Sequence, residues 1–248
     1  MTTLFGTFHI CALIICCAAA VFSAWKLRRI SSERIIHILF FIGIILLMME
    51  IHKQIYITFI MNNGVYDWWF FPFQLCSVPM YLCILLPIIK GRFRDASLTF
   101  MACFTPISAL AALIYPEDFL RPQLGLTLHG FIWHGLLLFI SFLIIFSKTA
   151  DLSPRNFSRT CMLFAGCCII AICINIISEP LMASSVGIEH SYAAMFYMNP
   201  FHVSPQPIVG AIQKSTNIPF GLVLYALAII TASGISCRML KCFSRNIS

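Results

Sequence analysis

Seven stretches of this chain run for about 20 residues each with almost no charge, the length an α-helix needs to cross the hydrocarbon core of a bilayer. They fall at roughly 4–24, 35–60, 69–89, 97–115, 127–147, 160–178 and 218–236. Of the 248 residues 60% are hydrophobic and only 10% are charged, so no water-soluble surface can be covered. An ordinary soluble enzyme, a disordered chain and a small disulfide-rich module are all excluded. The expectation is an all-α polytopic membrane protein, one integral domain over 1–248 built as a seven-transmembrane-helix bundle in the cell membrane. The first run has no basic leader and is followed by Lys26, Arg28 and Arg29, so it reads as a retained helix and not a cleaved signal.

The charges then set the orientation. Positive residues keep to the cytoplasmic side of short loops. The alternate connections 25–34, 90–96 and 148–159, together with the C-terminal tail, hold 13 of the 16 Lys and Arg residues. The remaining connections hold only Arg121 and Lys214, and are comparatively acidic through Asp67, Glu117, Asp118, Glu179 and Glu189. This pattern puts the N-terminus outside and the C-terminus in the cytoplasm. The net charge of +7 is therefore a topology signal, and no nucleic-acid partner is expected. Ten of the 12 cysteines lie in apolar runs, the other two being Cys237 and Cys242. No pair has zinc-like spacing, so no metal and no disulfide framework is expected. The long outer connection at 179–217, with Glu189, His190 and His202, reads either as a lid or re-entrant structure or as an ordinary surface loop.

Against so apolar a background the polar exceptions stand out, because an ionisable group in hydrocarbon costs a few kcal/mol and normally faces the bundle interior. Glu50 and Lys53 share one helix face at i,i+3 spacing. They are either a self-neutralising pair or a charged wall for a headgroup or a proton path. His52 points roughly 160° away from Glu50. In the third run Pro72 and Pro79 bracket Gln74, Cys76 and Ser77, and proline-broken helices expose backbone polar groups to a cavity. The fifth run carries His129 and His134, each followed by a glycine that permits close helix approach. Asn175 lies near the outer end of the sixth. Counted along the helices, these residues gather in the outer half of the bundle, which predicts one cavity opening outward.

The run FPFQLCSVPMYL, followed some fifty residues later by FIWHGLLLF, resembles the YwaF family of integral membrane proteins. Glu50 and Lys53 before it, and more weakly MFYMNP at 195–200, extend the resemblance over about 35–235. Between the sixth and seventh runs the family's tyrosine- and proline-rich pattern is not kept, and no site residue is carried over there. A related eukaryotic branch consists of cysteine-dependent phospholipid acyltransferases. What the resemblance implies is a catalytic Cys76 with His134 as its partner, His129 being the reserve candidate. The thiolate would attack an acyl ester to give a thioester, and His134 would deprotonate the acceptor. Gln74 or Ser77 would donate to the oxyanion, and Glu50 and Lys53 would hold the substrate headgroup. Asn175 is counted with the substrate-binding residues for its place in the outer half of the bundle. The implied partners are membrane lipids, with a phospholipid as substrate and no cofactor.

Two other classes fit the residues alone. One is a small-molecule or ion transporter using the Glu50/Lys53 pair and the membrane histidines, and the other is a non-catalytic accessory protein. The last run has no lysine for a retinal Schiff base, which counts against a photoreceptor.

Overall fold

The computed structural model describes residues 4–183 and 189–246, so residues 184–188 of the long outer connection lie outside the described residues. The described residues form helices and no strand. In order these are α1 (Thr7–Leu27), α2 (Ser32–Ile55), α3 (Val78–Leu85), α4 (Gly91–Cys103), α5 (Thr105–Ile114), α6 (Leu124–Phe146), α7 (Pro154–Ala183), α8 (Pro207–Ser215) and α9 (Ile218–Asn246). Helices are what an apolar chain must form, because lipid cannot satisfy backbone N–H and C=O groups.

Six helical stretches among the described residues are long and apolar enough to cross a membrane: Thr7–Leu27, Ser32–Met61, Gly91–Ile114, Leu124–Phe146, Pro154–Met182 and Ile218–Cys242. Each coincides with one of the predicted runs. The run at 69–89 is different. It opens with a single 3₁₀ turn at Trp68–Phe70, continues as irregular chain, and becomes helical only at α3. Eight residues of helix rise about 12 Å, well short of a ~30 Å core. The prolines supply the reason. Pro72 cannot donate to a helical ladder, whereas Pro79 is tolerated because it sits in the first turn of α3, where N–H groups have no partner anyway.

The chain divides into two compact units. The first is drawn from 1–49, 79–160 and 232–248. Its centre is α6, against which α1, α4 and α5 pack. Small residues let α1 come close: Gly135 faces Cys16, where an added Cβ would sit 3.4 Å from the sulfur. The Cys16 thiol donates to the Phe131 carbonyl at 3.4 Å. Buried His9 accepts from the Phe5 N–H through Nδ1 and donates to the Leu113 carbonyl through Nε2 at 2.8 Å. The α4–α5 break falls at Phe104, two residues before Pro106, and Phe100 and Phe104 stack with centroids 5.0 Å apart. Outward-facing Ile14, Ile15, Phe22, Phe41, Ile45 and Met48 are exposed, as lipid-facing residues should be.

The second unit is drawn from 50–78 and 161–231. It contains the end of α2 with its π-helical turn Tyr56–Met61, the irregular 71–77 segment, most of α7, the outer connection and α8. Here the surface-loop reading of the outer connection fails for its central part. Ala193, Ala194, Met195, Phe196, Met198 and Asn199 are all buried. An apolar AAMF run has no reason to stay in water once polar side chains can satisfy its backbone.

Candidate functional site

Two side-chain amides hold the buried segment in the second unit. Gln74 donates through Nε2 to the Ala194 carbonyl at 3.0 Å and accepts the Phe196 N–H through Oε1 at 2.8 Å. Asn175 does the same to the intervening residue, donating to the Met195 carbonyl at 3.1 Å and accepting its N–H at 2.7 Å. Each amide thus plays the part of a neighbouring strand. Asn199 completes the segment by donating to the Ala193 carbonyl at 2.7 Å and accepting from the N–H groups of Phe201 and His202. This frame sustains left-handed backbone at Phe196 (φ 53°) and Tyr197 (φ 55°), which costs on the order of 1–2 kcal/mol per non-glycine residue. The Phe196 ring lies stacked on Phe73, with centroids 5.7 Å apart.

The same unit holds the charged pair. Lys53 Nζ sits 2.8 Å from Glu50 Oε1, and Glu50 is only 3% exposed. Gln54 donates to the same carboxylate oxygen at 2.7 Å and to the Phe70 carbonyl at 2.5 Å, tying α2 to the 3₁₀ turn. His52 is exposed on another face, as its spacing predicts, and stacks on Tyr56. Cys76 is half-buried and lies two residues ahead of α3; Ser77 is buried and its N–H donates to the Gln74 carbonyl at 2.8 Å. One unit therefore holds Glu50, Lys53, Gln74, Cys76, Ser77 and Asn175.

His134 and His129 belong to the first unit. His134 is 7% exposed and donates through Nδ1 to the Gly130 carbonyl one turn earlier, at 2.7 Å. That bond puts a proton on Nδ1, so in the neutral ring the lone pair is on Nε2. The ring lies flat against Phe119, whose centroid is 5.1 Å away. Gly130 is required for this arrangement, since a Cβ there would run into the Phe119 ring. His129 is half-buried and stacks on Trp133.

Two histidine–carboxylate pairs were not anticipated as site features. In the second unit His190 Nδ1 donates to Asp67 Oδ2 at 2.7 Å, and Asp67 is 2% exposed. The other oxygen of Asp67 accepts the Trp69 N–H at 3.0 Å, and the Trp69 ring stacks on His190 at 4.5 Å, nearly parallel. Farther along the connection, His202 Nε2 meets Glu179 Oε1 at 2.6 Å, with Tyr192 stacked on the imidazole at 4.3 Å. The Tyr192 hydroxyl donates to the Val203 carbonyl at 3.3 Å, and burial pushes its phenol up. The pairs join residues 123 and 23 positions apart, so no local motif announces them. The available signal was the unusual density of aromatic residues, YDWWFF, next to an acid. No group of three or more His, Cys, Asp or Glu residues that could hold a metal ion occurs among the described residues.

Membrane-length apolar helices, a buried irregular segment and polar side chains placed to satisfy it define a multi-pass membrane protein. The chain belongs to the TMEM164 family, whose model matches residues 4–236. No curated protein and no solved structure matches it significantly.

Proposed function

We propose that this chain is a lipid acyltransferase or lipid hydrolase with Cys76 as nucleophile and His134 as general base, His129 being the alternative base. It would lie in the cell membrane with seven crossing segments, the broken 69–89 run among them, and its N-terminus outside. The observation that carries the reading is the setting of Cys76. This half-buried thiol comes just ahead of the first turn of α3, in a segment kept out of helical conformation by proline. First-turn N–H groups have no intrahelical partner and are ready donors for an oxyanion. The resemblance of the surrounding residues to YwaF proteins and to their cysteine-dependent eukaryotic relatives supports the same chemistry.

The steps follow from these groups. The Cys76 thiolate attacks the ester carbonyl of a phospholipid, and the C–O bond to glycerol breaks. His134, whose Nδ1 is committed to Gly130, takes the Cys76 thiol proton on Nε2 as the thiolate forms and delivers that proton to the departing alkoxide. An acceptor hydroxyl, or water, then loses its proton to Nε2 and attacks the thioester, which expels the thiolate. Glu50 and Lys53 are assigned to the headgroup, whereas Gln74 and Asn175 act by positioning the 194–196 segment against it. With purified protein and a labelled phospholipid, Cys76→Ser and His134→Ala should each abolish acyl release. Full activity in both would overturn the assignment.

A further inference from the structure

The first unit contains a cleft of about 560 Å³ that the acyl-transfer reading does not use. It lies where the first turn of α2, the first turns of α4 and the chain just after α6 come together. Glu33, His37, Arg94, Asp95 and Lys148 line it, over a floor that includes buried Leu98. The Arg94 guanidinium is pinned by one bond, Nε to the Ile89 carbonyl at 2.9 Å, which holds it in place while its two terminal amino groups remain as donors. Among the described residues no ion pair joins Arg94 or Lys148 to Glu33 or Asp95. Two cations and two carboxylates thus face one concavity without closing on each other.

We infer that this cleft is a resident-lipid site for the headgroup of a zwitterionic phosphoglyceride. The phosphate would be met by Arg94 and Lys148. The ammonium would be met by Glu33 and Asp95. A purely anionic headgroup would gain the cations but would leave both carboxylates facing negative charge. Free phosphate would lack the ammonium altogether. Lipid is the occupant the position selects. Helices of membrane-spanning length begin or end at the cleft, so it lies at headgroup level, and Ile88 and Phe93 beside it are exposed apolar residues against which acyl chains can lie.

The test uses the full chain purified in detergent containing equal phosphatidylethanolamine and phosphatidylglycerol, with bound lipid read by native mass spectrometry. Wild type should retain the ethanolamine lipid preferentially. Arg94→Gln with Lys148→Gln should lower its retention about tenfold, the factor that corresponds to ~1.4 kcal/mol. Glu33→Gln with Asp95→Asn should turn the preference toward phosphatidylglycerol. Because Lys148 is exposed, Lys148→Gln alone serves as the variant that keeps the fold, and it should lose about threefold, half of that free energy. Equal retention by wild type and Lys148→Gln, a wild-type preference for phosphatidylglycerol, or displacement of the lipid by millimolar inorganic phosphate would each overturn the inference. None of these outcomes depends on acyl transfer at Cys76.

Discussion

The two units solve the same problem of burying backbone away from water by different means. In the first, long regular helices satisfy their own backbones, and side chains are left to fill space: Gly135 against Cys16, Gly130 against Phe119, Phe100 against Phe104. In the second, the chain is irregular at 71–77 and at 189–206, and amide side chains must supply what the missing helix would have supplied. The lesson is about sensitivity. The first unit should respond to changes in volume and the second to changes in hydrogen-bonding capacity, even where the volume is kept.

The largest expected effect is in the second unit. Asn175→Leu is close to isosteric but orphans the N–H and C=O of Met195, at about 1–3 kcal/mol for each buried group. Thermal unfolding in detergent should fall markedly, and amide exchange should rise across 194–198. Unchanged exchange there would show that the amide frame is dispensable. Next comes Gly130→Ala in the first unit, at about 1–3 kcal/mol for overpacking against Phe119. It should lower the melting temperature and disturb His134 while leaving exchange at 194–198 as it was. Asp67→Asn keeps the shape of its site and removes the charge behind the bond to His190, at about 1–2 kcal/mol. The smallest effect should come from Ser141→Ala, whose hydroxyl lies 2.8 Å from the Met101 carbonyl and 3.0 Å from that of Leu137. The Leu137 carbonyl lies inside α6, and only the Met101 carbonyl, at the α4–α5 break, loses a partner, so the loss should be about 1 kcal/mol. A Ser141→Ala loss as large as that of Asn175→Leu would erase the distinction between the units.

The same contrast explains what could be read in the sequence. Regular spans announce themselves through apolar length, and six of them coincide with membrane-length helices. The 69–89 run has the same hydropathy, yet Pro72 keeps its first half out of the helix, and hydropathy alone does not register a missing N–H. The buried 193–199 segment was harder still. Its apolar AAMF and the amides that hold it lie about 20 and 120 residues apart, so the partnership exists only in the fold. Gln74 and Asn175 were visible as polar residues out of place, but their partner, a stretch of backbone, was not. Asp67 and His190 looked like ordinary outer-loop residues for the same reason.

The central claim is that the broken third run exists to present a nucleophile, and Cys76 can be asked directly. After incubation with a phospholipid of defined acyl chains, the peptide carrying Cys76 should be found by mass spectrometry with one acyl group attached through a hydroxylamine-sensitive thioester. The adduct should be absent in Cys76→Ser and should form much more slowly in His134→Ala. A wild-type protein that turns over lipid while this peptide stays unmodified, or an adduct that forms equally well on another cysteine, would contradict the account.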